Sequence, residues 1–223
     1  MKLVCADWER QILLDSQRIT EWIVESPDLF SQIVQQLQQQ INGGSAGFVL
    51  SDSEKELALS KCAEMIVNPF AIDFNDKKIQ KKLYAELLEI SKGKELYLTT
   101  QEILNSLNNY FLQLESISGY ELETDVEVDM LALFKAMGIQ VQDYAADFFE
   151  TLIQYIKVMA DLMKKKLIIF VNIRSYLNDI QIEQVSEIAV YNEIAILFIE
   201  NIQRDFSKQR RYYIIDKDGC EIY

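Results

Sequence analysis

Two short runs of consecutive apolar residues mark the centre of the predicted fold. The first, Leu167–Val171, follows three lysines and ends at the polar Asn172, and the second occupies residues 194–199. Continuous apolar runs of this length are typical of strands that are buried on both faces. Between them, apolar residues recur at the three- and four-residue steps of a helix face: Ile182, Val185, Ile188 and Ala189. This succession predicts two parallel, neighbouring strands in one sheet.

The first third of the chain also mixes strand patterns with a helix. Ser26 at the N-cap and Pro27 at the first helical position predict a helix start, and the Asn-Gly-Gly of residues 42–44 predicts its end. Strand patterns lie around this helix, at residues 2–6 and 11–14, which are compatible with a hairpin, and at residues 19–24, 48–50 and 63–67. Together these elements predict an α/β fold with a mixed or parallel sheet.

Helical spacing replaces the strand pattern after Pro69. The first predicted helix begins at Asp73 or Asn75 and stops at Gly93, and the second begins at Thr99 or Thr100. Two further helices are predicted at residues 129–137 and 144–163. The sequence therefore predicts an α/β domain formed by residues 1–72 and 165–223. An all-helical domain, residues 73–164, is inserted into it.

Composition narrows the possible functions. The chain has 223 residues, no histidine and three scattered cysteines, which disfavours a zinc site, a disulfide scaffold and every histidine-dependent catalytic arrangement. No apolar stretch is long enough for a membrane span, and the N-terminus lacks the apolar run of a signal peptide. We therefore expect a cytoplasmic globular protein that does not contact membranes.

The net charge of −13 argues, taken alone, against a simple nucleic-acid-binding protein. Net charge does not describe the local distribution, however, and the basic residues are clustered. The clusters are Lys77 with Lys78, Lys81 with Lys82, Lys92 with Lys94, residues 164–166, and residues 204–211. Each cluster is either a solvated face or part of a binding surface.

The most unusual segment is residues 119–129, in which carboxylates occupy every second position: Glu121, Glu123, Asp125, Glu127 and Asp129. In an extended conformation alternate side chains share one face, so these acids would line up and repel one another. One interpretation is a solvated strand edge or a loop held open by charge. The other is a site for a hard divalent cation such as Ca²⁺, which takes oxygen ligands in flexible geometry.

Catalytic motifs are scarce. The sequence contains neither the G-x-x-x-x-G-K-[ST] nor the G-x-G-x-x-G phosphate-binding loop, and no G-x-S-x-G. A nuclease that uses only carboxylates and metal ions remains an alternative, because five acids on one face could hold two ions. A DNA cleavage assay with Mg²⁺ or Mn²⁺ would test it.

Several segments, taken in order, resemble the CRISPR-associated Csn-two adaptation proteins of type II-A systems. The C-terminal half carries KKKLIIFVN at residues 164–172 and AILFIE at residues 195–200. Earlier segments that are similar are FSQIV (30–34), KLYAEL (82–87) and ALFKAMGIQV (132–141), and the ending YIIDKDGCEIY (213–223) is similar too. The resemblance covers most of the chain, although residues 43–60 have no counterpart.

The resemblance implies an α/β head, distantly like a P-loop NTPase without the nucleotide loop, and an inserted helical leg. It also implies a homotetrameric ring with a basic inner hole that encloses double-stranded DNA without reading its sequence and prefers DNA ends. The resemblance further implies that calcium held by leg carboxylates stabilises the ring and that the protein is not an enzyme. By the same resemblance, the expected role is spacer acquisition for antiviral defence, beside the integrase proteins and the RNA-guided nuclease. A DNA-independent structural oligomer is the remaining alternative.

The resemblance and the residue spacing together give the candidate sites. Glu121, Glu123, Asp125, Glu127 and Asp129 are the candidate calcium ligands. Second neighbours along a strand lie roughly 6–7 Å apart, so two or more ions are expected, or one ion completed by Asp143, Asp147 or Glu150. A sliding ring should contact phosphates through lysines. The candidates, in order of preference, are Lys135, then Lys78, Lys81 and Lys82 on one helix face, with Lys77 beside them.

Overall fold

The computed structural model describes residues 1–5, 10–123, 128–143 and 145–222. The strands within these residues are β1 (Lys2–Cys5), β2 (Arg10–Leu13), β3 (Thr20–Val24), β4 (Phe48–Asp52), β5 (Lys55–Leu57), β6 (Ala63–Ile66), β7 (Leu167–Val171), β8 (Ala195–Glu200), β9 (Arg211–Ile215) and β10 (Glu221–Ile222). The α-helices are α1 (Pro27–Ile41), α2 (Leu59–Cys62), α3 (Lys77–Lys92), α4 (Tyr97–Ser118), α5 (Met130–Ala136), α6 (Phe148–Asp161) and α7 (Asp179–Tyr191). The α/β class is confirmed.

A six-stranded sheet with the order β10-β9-β3-β8-β7-β6 forms the centre of the fold. Its strands from β9 to β6 run parallel, and β10 is antiparallel to β9. The predicted parallel pair is confirmed, because β7 and β8 lie side by side with Leu167 opposite Ala195. Every residue of these two strands is buried, as the continuous apolar runs indicated.

A smaller antiparallel sheet has the order β2-β1-β4-β5. The predicted hairpin pairing is confirmed, with Leu3 of β1 opposite Ile12 of β2. Two contacts fix the end of this hairpin. The N-terminal ammonium donates to the carbonyl oxygen of Leu14 at 2.8 Å, and the Thr20 hydroxyl donates to the carbonyl oxygen of Leu13 at 3.1 Å. The hairpin is thereby joined to β3 of the large sheet.

The main core lies between the small sheet, α1 and one face of the large sheet. Its buried members include Leu3, Phe48, Trp22, Ile33 and Leu37, and Trp22 meets Phe48 edge to face at 6.4 Å between ring centroids. Burying each such side chain contributes about 1.5–3 kcal/mol. The other face of the sheet is covered as well. There Phe170 contacts Phe198, α7 lies against β8, and α6 packs on α7.

The chain divides into two compact units, Met1–Asp73 with Asp143–Tyr223, and Phe74–Gln142. The first contains both sheets, and the second contains α3, α4 and α5, with α3 packed against each of the other two. Helix α6 groups with the first unit because it packs on α7, whereas the sequence prediction placed it in the helical insertion.

Several element boundaries differ from the sequence prediction. Helix α3 begins after Asp76 rather than after Asp73 or Asn75, because the Asp76 carboxylate accepts from the backbone N–H groups of Lys78 and Ile79. Helix α4 begins at Tyr97, before the predicted threonines. Strands β5, β9 and β10 were not predicted. Among the described residues, no helix is both long enough and apolar enough to cross a bilayer.

Candidate nucleic-acid interface

Helix α3 presents a row of lysines on its outer side. Its inner side is fixed by Ile79 and Tyr84, which are 1 % and 9 % exposed, and its first turn is capped by Asp76. Most of the remaining positions in the first two turns then face solvent. The exposed lysines there are Lys77, Lys78, Lys81 and Lys82. The predicted lysine face therefore exists as an exposed surface of one helix.

Helix α5 carries the fifth candidate, Lys135, which is also exposed. This helix begins at the Asp129 cap, where the carboxylate accepts from the backbone N–H of Leu131 at 2.8 Å. It ends before Gly138, whose φ of 64° lies in the left-handed region that a glycine adopts without strain. Lys135 lies in the last turn, where a cation also suits the helix dipole.

Side-chain hydrogen bonds join α3 to the segment that follows α5. The Tyr84 hydroxyl donates to the carbonyl oxygen of Ile139 at 3.1 Å. Asn75, just before α3, donates to the carbonyl oxygen of Val141 at 3.2 Å and accepts from its N–H at 3.1 Å. The structure thus brings the helix of Lys135 against the helix of the other four candidates, although they lie far apart in sequence.

The five lysines have no ion-pair partner within the part of the chain that the structure describes. Exposed ammonium groups without a carboxylate partner keep their full charge for an external anion. Lysine ammonium groups on flexible stems suit phosphate oxygens at variable positions, and they do not read base edges. The chemistry of this surface is therefore that of a phosphate contact rather than of base recognition.

The acidic segment is described only in part. Glu121, Glu123 and Asp129 are exposed, and one Asp129 oxygen is engaged in capping α5. Asp125 and Glu127 lie outside the described residues. Among the residues that are described, no group of three or more acids or cysteines forms a cluster that could hold a metal ion. The calcium assignment therefore stays a prediction.

The additional oxygen ligands suggested by sequence have local structural contacts. Asp147 caps α6 by accepting from the backbone N–H of Glu150 at 2.9 Å, and the Glu150 carboxylate accepts from the N–H of Ala146 at 2.8 Å. Asp143 accepts from the N–H of Ala145 at 3.0 Å. All three side chains thereby order the entry to α6.

The lysine cluster at residues 164–166 has a structural part. Lys165 donates to the carbonyl oxygen of Ala63 at 2.6 Å and lies 3.3 Å from a Glu64 carboxylate oxygen, with only 8 % of its side chain exposed. Lys166 lies 3.6 Å from Asp52 and is half exposed. Lys165 therefore has partners within the protein, unlike the lysines of α3 among the described ion pairs.

A cluster of five charged residues, all buried at their side chains except Asp179, which is 69 % exposed, was not predicted from sequence. Arg174 donates to both carboxylate oxygens of Glu21 at 2.9 and 3.1 Å, and Arg210 donates to Glu21 at 2.7 Å. Both arginines also reach Asp179, at 3.4 and 3.1 Å. Glu200 completes the cluster by accepting from the backbone N–H of Arg174 at 3.0 Å. One signal was available in the sequence: the acidic Glu21 directly precedes the apolar residues 22–24 of the same strand.

Burial changes the ionisation of this cluster. Loss of solvent raises the pKa of Glu200 from 4.5 to about 7, and the charge of Glu21 adds to the rise, although the Arg174 N–H opposes it. Burial alone would lower the pKa of the Arg210 guanidinium, but the hydrogen bond and charge of Glu21 raise it above its ordinary value. Arg210 therefore stays charged, whereas Glu200 titrates near neutral pH.

Comparisons with known proteins agree over most of the chain. Residues 38–219 match the model of the family described as CRISPR-associated protein (Cas_Csn2). A protein of Enterococcus faecalis named CRISPR-associated protein Csn2 is 29 % identical over 182 residues, which cover 75 % of this chain and 79 % of that protein. A protein of the same name from Streptococcus agalactiae is 25 % identical over 177 residues, covering 76 % of this chain and 75 % of that protein.

Proposed function

The chain belongs to the Csn2 family of CRISPR-associated proteins, and from this premise we propose that it is a calcium-dependent ring protein that binds double-stranded DNA. In this proposal the protein binds without sequence preference, favours DNA ends and acts in the acquisition of new CRISPR spacers. Its partners are the integrase proteins and the RNA-guided nuclease of the same defence system.

The observation that carries the DNA-binding part is the exposed lysine surface formed by α3 and α5. Lys77, Lys78, Lys81, Lys82 and Lys135 belong to one compact unit and have no carboxylate partner among the described residues. Each phosphate that a lysine neutralises releases condensed counterions, which favours binding at every sequence alike. The net charge of −13 does not oppose this, because an acidic exterior can accompany a basic channel.

An apolar stripe on α4 supports self-association of the chain. Ile103, Leu107, Tyr110, Leu114 and Ile117 follow one another at alternating steps of four and three residues. This is the spacing with which one helix packs along another. Ile117 is 84 % exposed and Tyr110 is 56 % exposed, and within α4 only Thr100 is buried. We propose that a second copy of the chain covers this stripe as part of a homotetrameric ring.

The donor chemistry of the acidic segment supports the choice of calcium. Glu121, Glu123, Asp125, Glu127 and Asp129 provide only carboxylate oxygens, and hard cations such as Ca²⁺ take oxygen ligands in flexible geometry. An ion held there would also reduce the repulsion among the acids. We propose that calcium binding by this segment favours assembly of the ring.

The proposal includes no catalytic step. The likeness of the head to P-loop NTPases is supported by the parallel strands of the large sheet, but β3 is joined to α1 by Glu25 and Ser26 alone. Two residues without a glycine do not form the loop that cradles nucleotide phosphates. We therefore propose that the α/β unit is a binding and assembly scaffold.

A titration with linear duplex DNA in calcium tests the DNA-binding part. The test variant replaces four lysines by Glu: Lys78, Lys81, Lys82 and Lys135. It should bind linear duplex DNA more weakly than the parent protein does, and the loss of affinity should be the same for duplexes of unrelated sequence. The slope of log affinity against log salt should fall by about one unit for each phosphate that the variant no longer neutralises. Unchanged affinity and salt slope would show that another surface holds the DNA.

A second variant controls for total charge. Lys55, Lys61, Lys157 and Lys217 are also exposed, and replacing them by Glu changes the net charge equally. This control should retain most of the affinity, because its lysines lie on the other compact unit. DNA cleavage by the parent protein in Mg²⁺ would contradict the non-catalytic part of the proposal.

A further inference from the structure

The buried ion cluster joins elements that are distant in the chain. Glu21 lies on β3, Arg174 follows β7, Asp179 begins α7, Glu200 ends β8 and Arg210 precedes β9. Glu21 and Glu200 are 1 % and 2 % exposed, and the side chains of Arg174 and Arg210 are 6 % and 7 % exposed. Charges buried to this degree are stable only when they are paired and hydrogen-bonded.

No guanidinium contacts Glu200 among the ion pairs described, although this carboxyl is buried. Arg174 and Arg210 both contact Glu21, which is buried, and Asp179, which is 69 % exposed and therefore screened by solvent. Glu200 contacts only the backbone N–H of Arg174 among the hydrogen bonds described. Its ionised form therefore adds a buried negative charge beside Glu21, without a guanidinium contact of its own.

The groups that face Glu200 come from several elements. Arg174 stabilises its anion through the backbone N–H and its charge, and Arg204 contributes a more distant positive charge. Glu21 on β3 opposes ionisation, and loss of solvent opposes it most strongly. Arg204 cannot neutralise the anion fully, because it is exposed and donates to the Ser175 hydroxyl at 3.1 Å.

The same cluster holds the connection between β8 and β9. Residues 201–210 form no helix or strand, and most of them are exposed. Arg210 anchors one end to Glu21 and Asp179. At the other end, the N–H of Asn201 donates to the Asn172 side-chain oxygen at 3.2 Å, directly after Glu200. Both anchors therefore depend on the residues of the cluster or on their immediate neighbours.

We propose that this cluster is a pH-responsive latch. Protonated Glu200 stays buried at the end of β8 without an unpaired charge and keeps both anchors of residues 201–210 in place, and ionisation of Glu200 favours opening of the end of β8 and releases this segment. The inference goes beyond the proposed DNA binding and does not depend on it. The raised pKa of Glu200 supports a transition close to neutral pH. The pKa of this carboxyl is higher in the folded protein than its ordinary value of 4.5, so the folded state holds the proton more tightly than the unfolded state does. The free energy of unfolding therefore falls as pH rises from 4.5 to about 7.

Hydrogen exchange on the intact protein tests the latch. The probes are the backbone amides of Arg174 and Asn201, whose hydrogen bonds lie in the cluster or beside it. After correction for intrinsic exchange, their opening constants should rise roughly tenfold or more between pH 5.5 and pH 8. Amides in the centre of β7 should show no such change. A change of less than about twofold at the probe amides would overturn the proposal.

The variants Glu200→Gln and Glu183→Gln make the test specific. The glutamine introduced by the first substitution keeps an oxygen that accepts from the Arg174 N–H but cannot ionise, so the pH dependence should disappear. Glu183 is exposed on α7, and its replacement should leave the pH dependence unchanged. Persistence of the full pH dependence in Glu200→Gln would contradict the proposal. If that variant does not fold, the measurement on the parent protein decides the question.

Discussion

Tyr84 and Ile139 are joined by a hydrogen bond of 3.1 Å that runs from the phenolic hydroxyl on α3 to the carbonyl oxygen after α5. Tyr84 is 9 % exposed, and the hydrogen bond is partly buried, so loss of the hydroxyl removes an interaction that water replaces only in part. Replacing Tyr84 by Phe should lower the free energy of unfolding by about 1 kcal/mol. Urea titration followed by circular dichroism would measure this change.

Tyr110→Phe is the matched control for this prediction. Tyr110 is 56 % exposed on α4, so water can replace any contact that its hydroxyl makes. Its replacement should change the free energy of unfolding by no more than about 0.5 kcal/mol. Equal losses in the two variants would show that the Tyr84 hydroxyl does not fasten α3 to the end of α5.

Helix α3 should depend on its N-terminal cap. Asp76 accepts from the backbone N–H groups of Lys78 and Ile79 at 2.7 and 2.8 Å, whereas Ser26 at the start of α1 makes no capping hydrogen bond through its side chain. Asp76→Ala should therefore cost about 1 kcal/mol, and Ser26→Ala should cost much less. Denaturant unfolding of both variants gives the comparison. A larger loss for Ser26→Ala would contradict this description of the two helix starts.

The sequence predicted the elements whose signals are local. The strands β7 and β8 are buried on both faces and therefore appear as continuous apolar runs, and the lysine row of α3 follows from helical spacing. The contact between α3 and the end of α5 could not be predicted, because Tyr84 and Ile139 are 55 residues apart. Spacing within each helix does not determine which helices pack together.

The buried ion cluster was missed for a related reason. Glu21 and Arg210 are 189 residues apart, so no window of the sequence shows that they form a pair. In sequence, Arg210 and Arg211 belong to a basic cluster. In the structure, Arg210 contacts Glu21, and Arg211 donates to Asp15 at 3.0 Å and to the carbonyl oxygen of Leu13 at 2.9 Å. A basic run in sequence is therefore not by itself a free cationic surface.

The contact between Glu21 and Arg174 should make the contributions of the two residues to stability non-additive. Arg174→Met leaves Glu21 buried with Arg210 as its remaining close cation, and removal of a buried partner typically costs about 3–5 kcal/mol. The double variant Glu21→Met with Arg174→Met removes both partners of this contact. Its loss of stability should be smaller than the sum of the two single losses by more than about 1 kcal/mol. Additive losses in denaturant titrations would exclude a direct interaction between the two side chains.

Self-association should depend on the exposed stripe of α4. Replacing Tyr110 and Ile117 by Glu places charges where a second copy is proposed to pack. The oligomer of this variant should therefore be weaker and should already dissociate at protein concentrations at which the parent oligomer remains intact. Light scattering over a concentration series measures this. Asn105 and Asn109 are exposed on the same helix outside the stripe, and replacing them by Glu should leave the oligomer intact. An unchanged mass for the Tyr110 and Ile117 variant would place the interface elsewhere.

Calcium should strengthen assembly through the acidic segment. The variant Glu123→Gln with Asp125→Asn removes two negative charges, and thus two anionic ligand candidates, from residues 119–129. Each carboxylate removed weakens the attraction of the segment for a divalent cation, so more calcium should be needed to reach the same oligomer mass. Light scattering during a calcium titration gives the midpoint for the variant and the parent protein.

The control for the calcium prediction removes two exposed acids of α3. Glu86 and Glu89 lie outside the acidic segment, and replacing both by Gln changes the net charge by the same amount. The calcium midpoint of this control should stay close to that of the parent protein, because no ion is proposed to bind there. If the Glu123 and Asp125 variant also keeps the parent midpoint, the acidic segment does not hold the ion that favours assembly. If it assembles more readily without calcium, the two acids oppose assembly mainly by mutual repulsion.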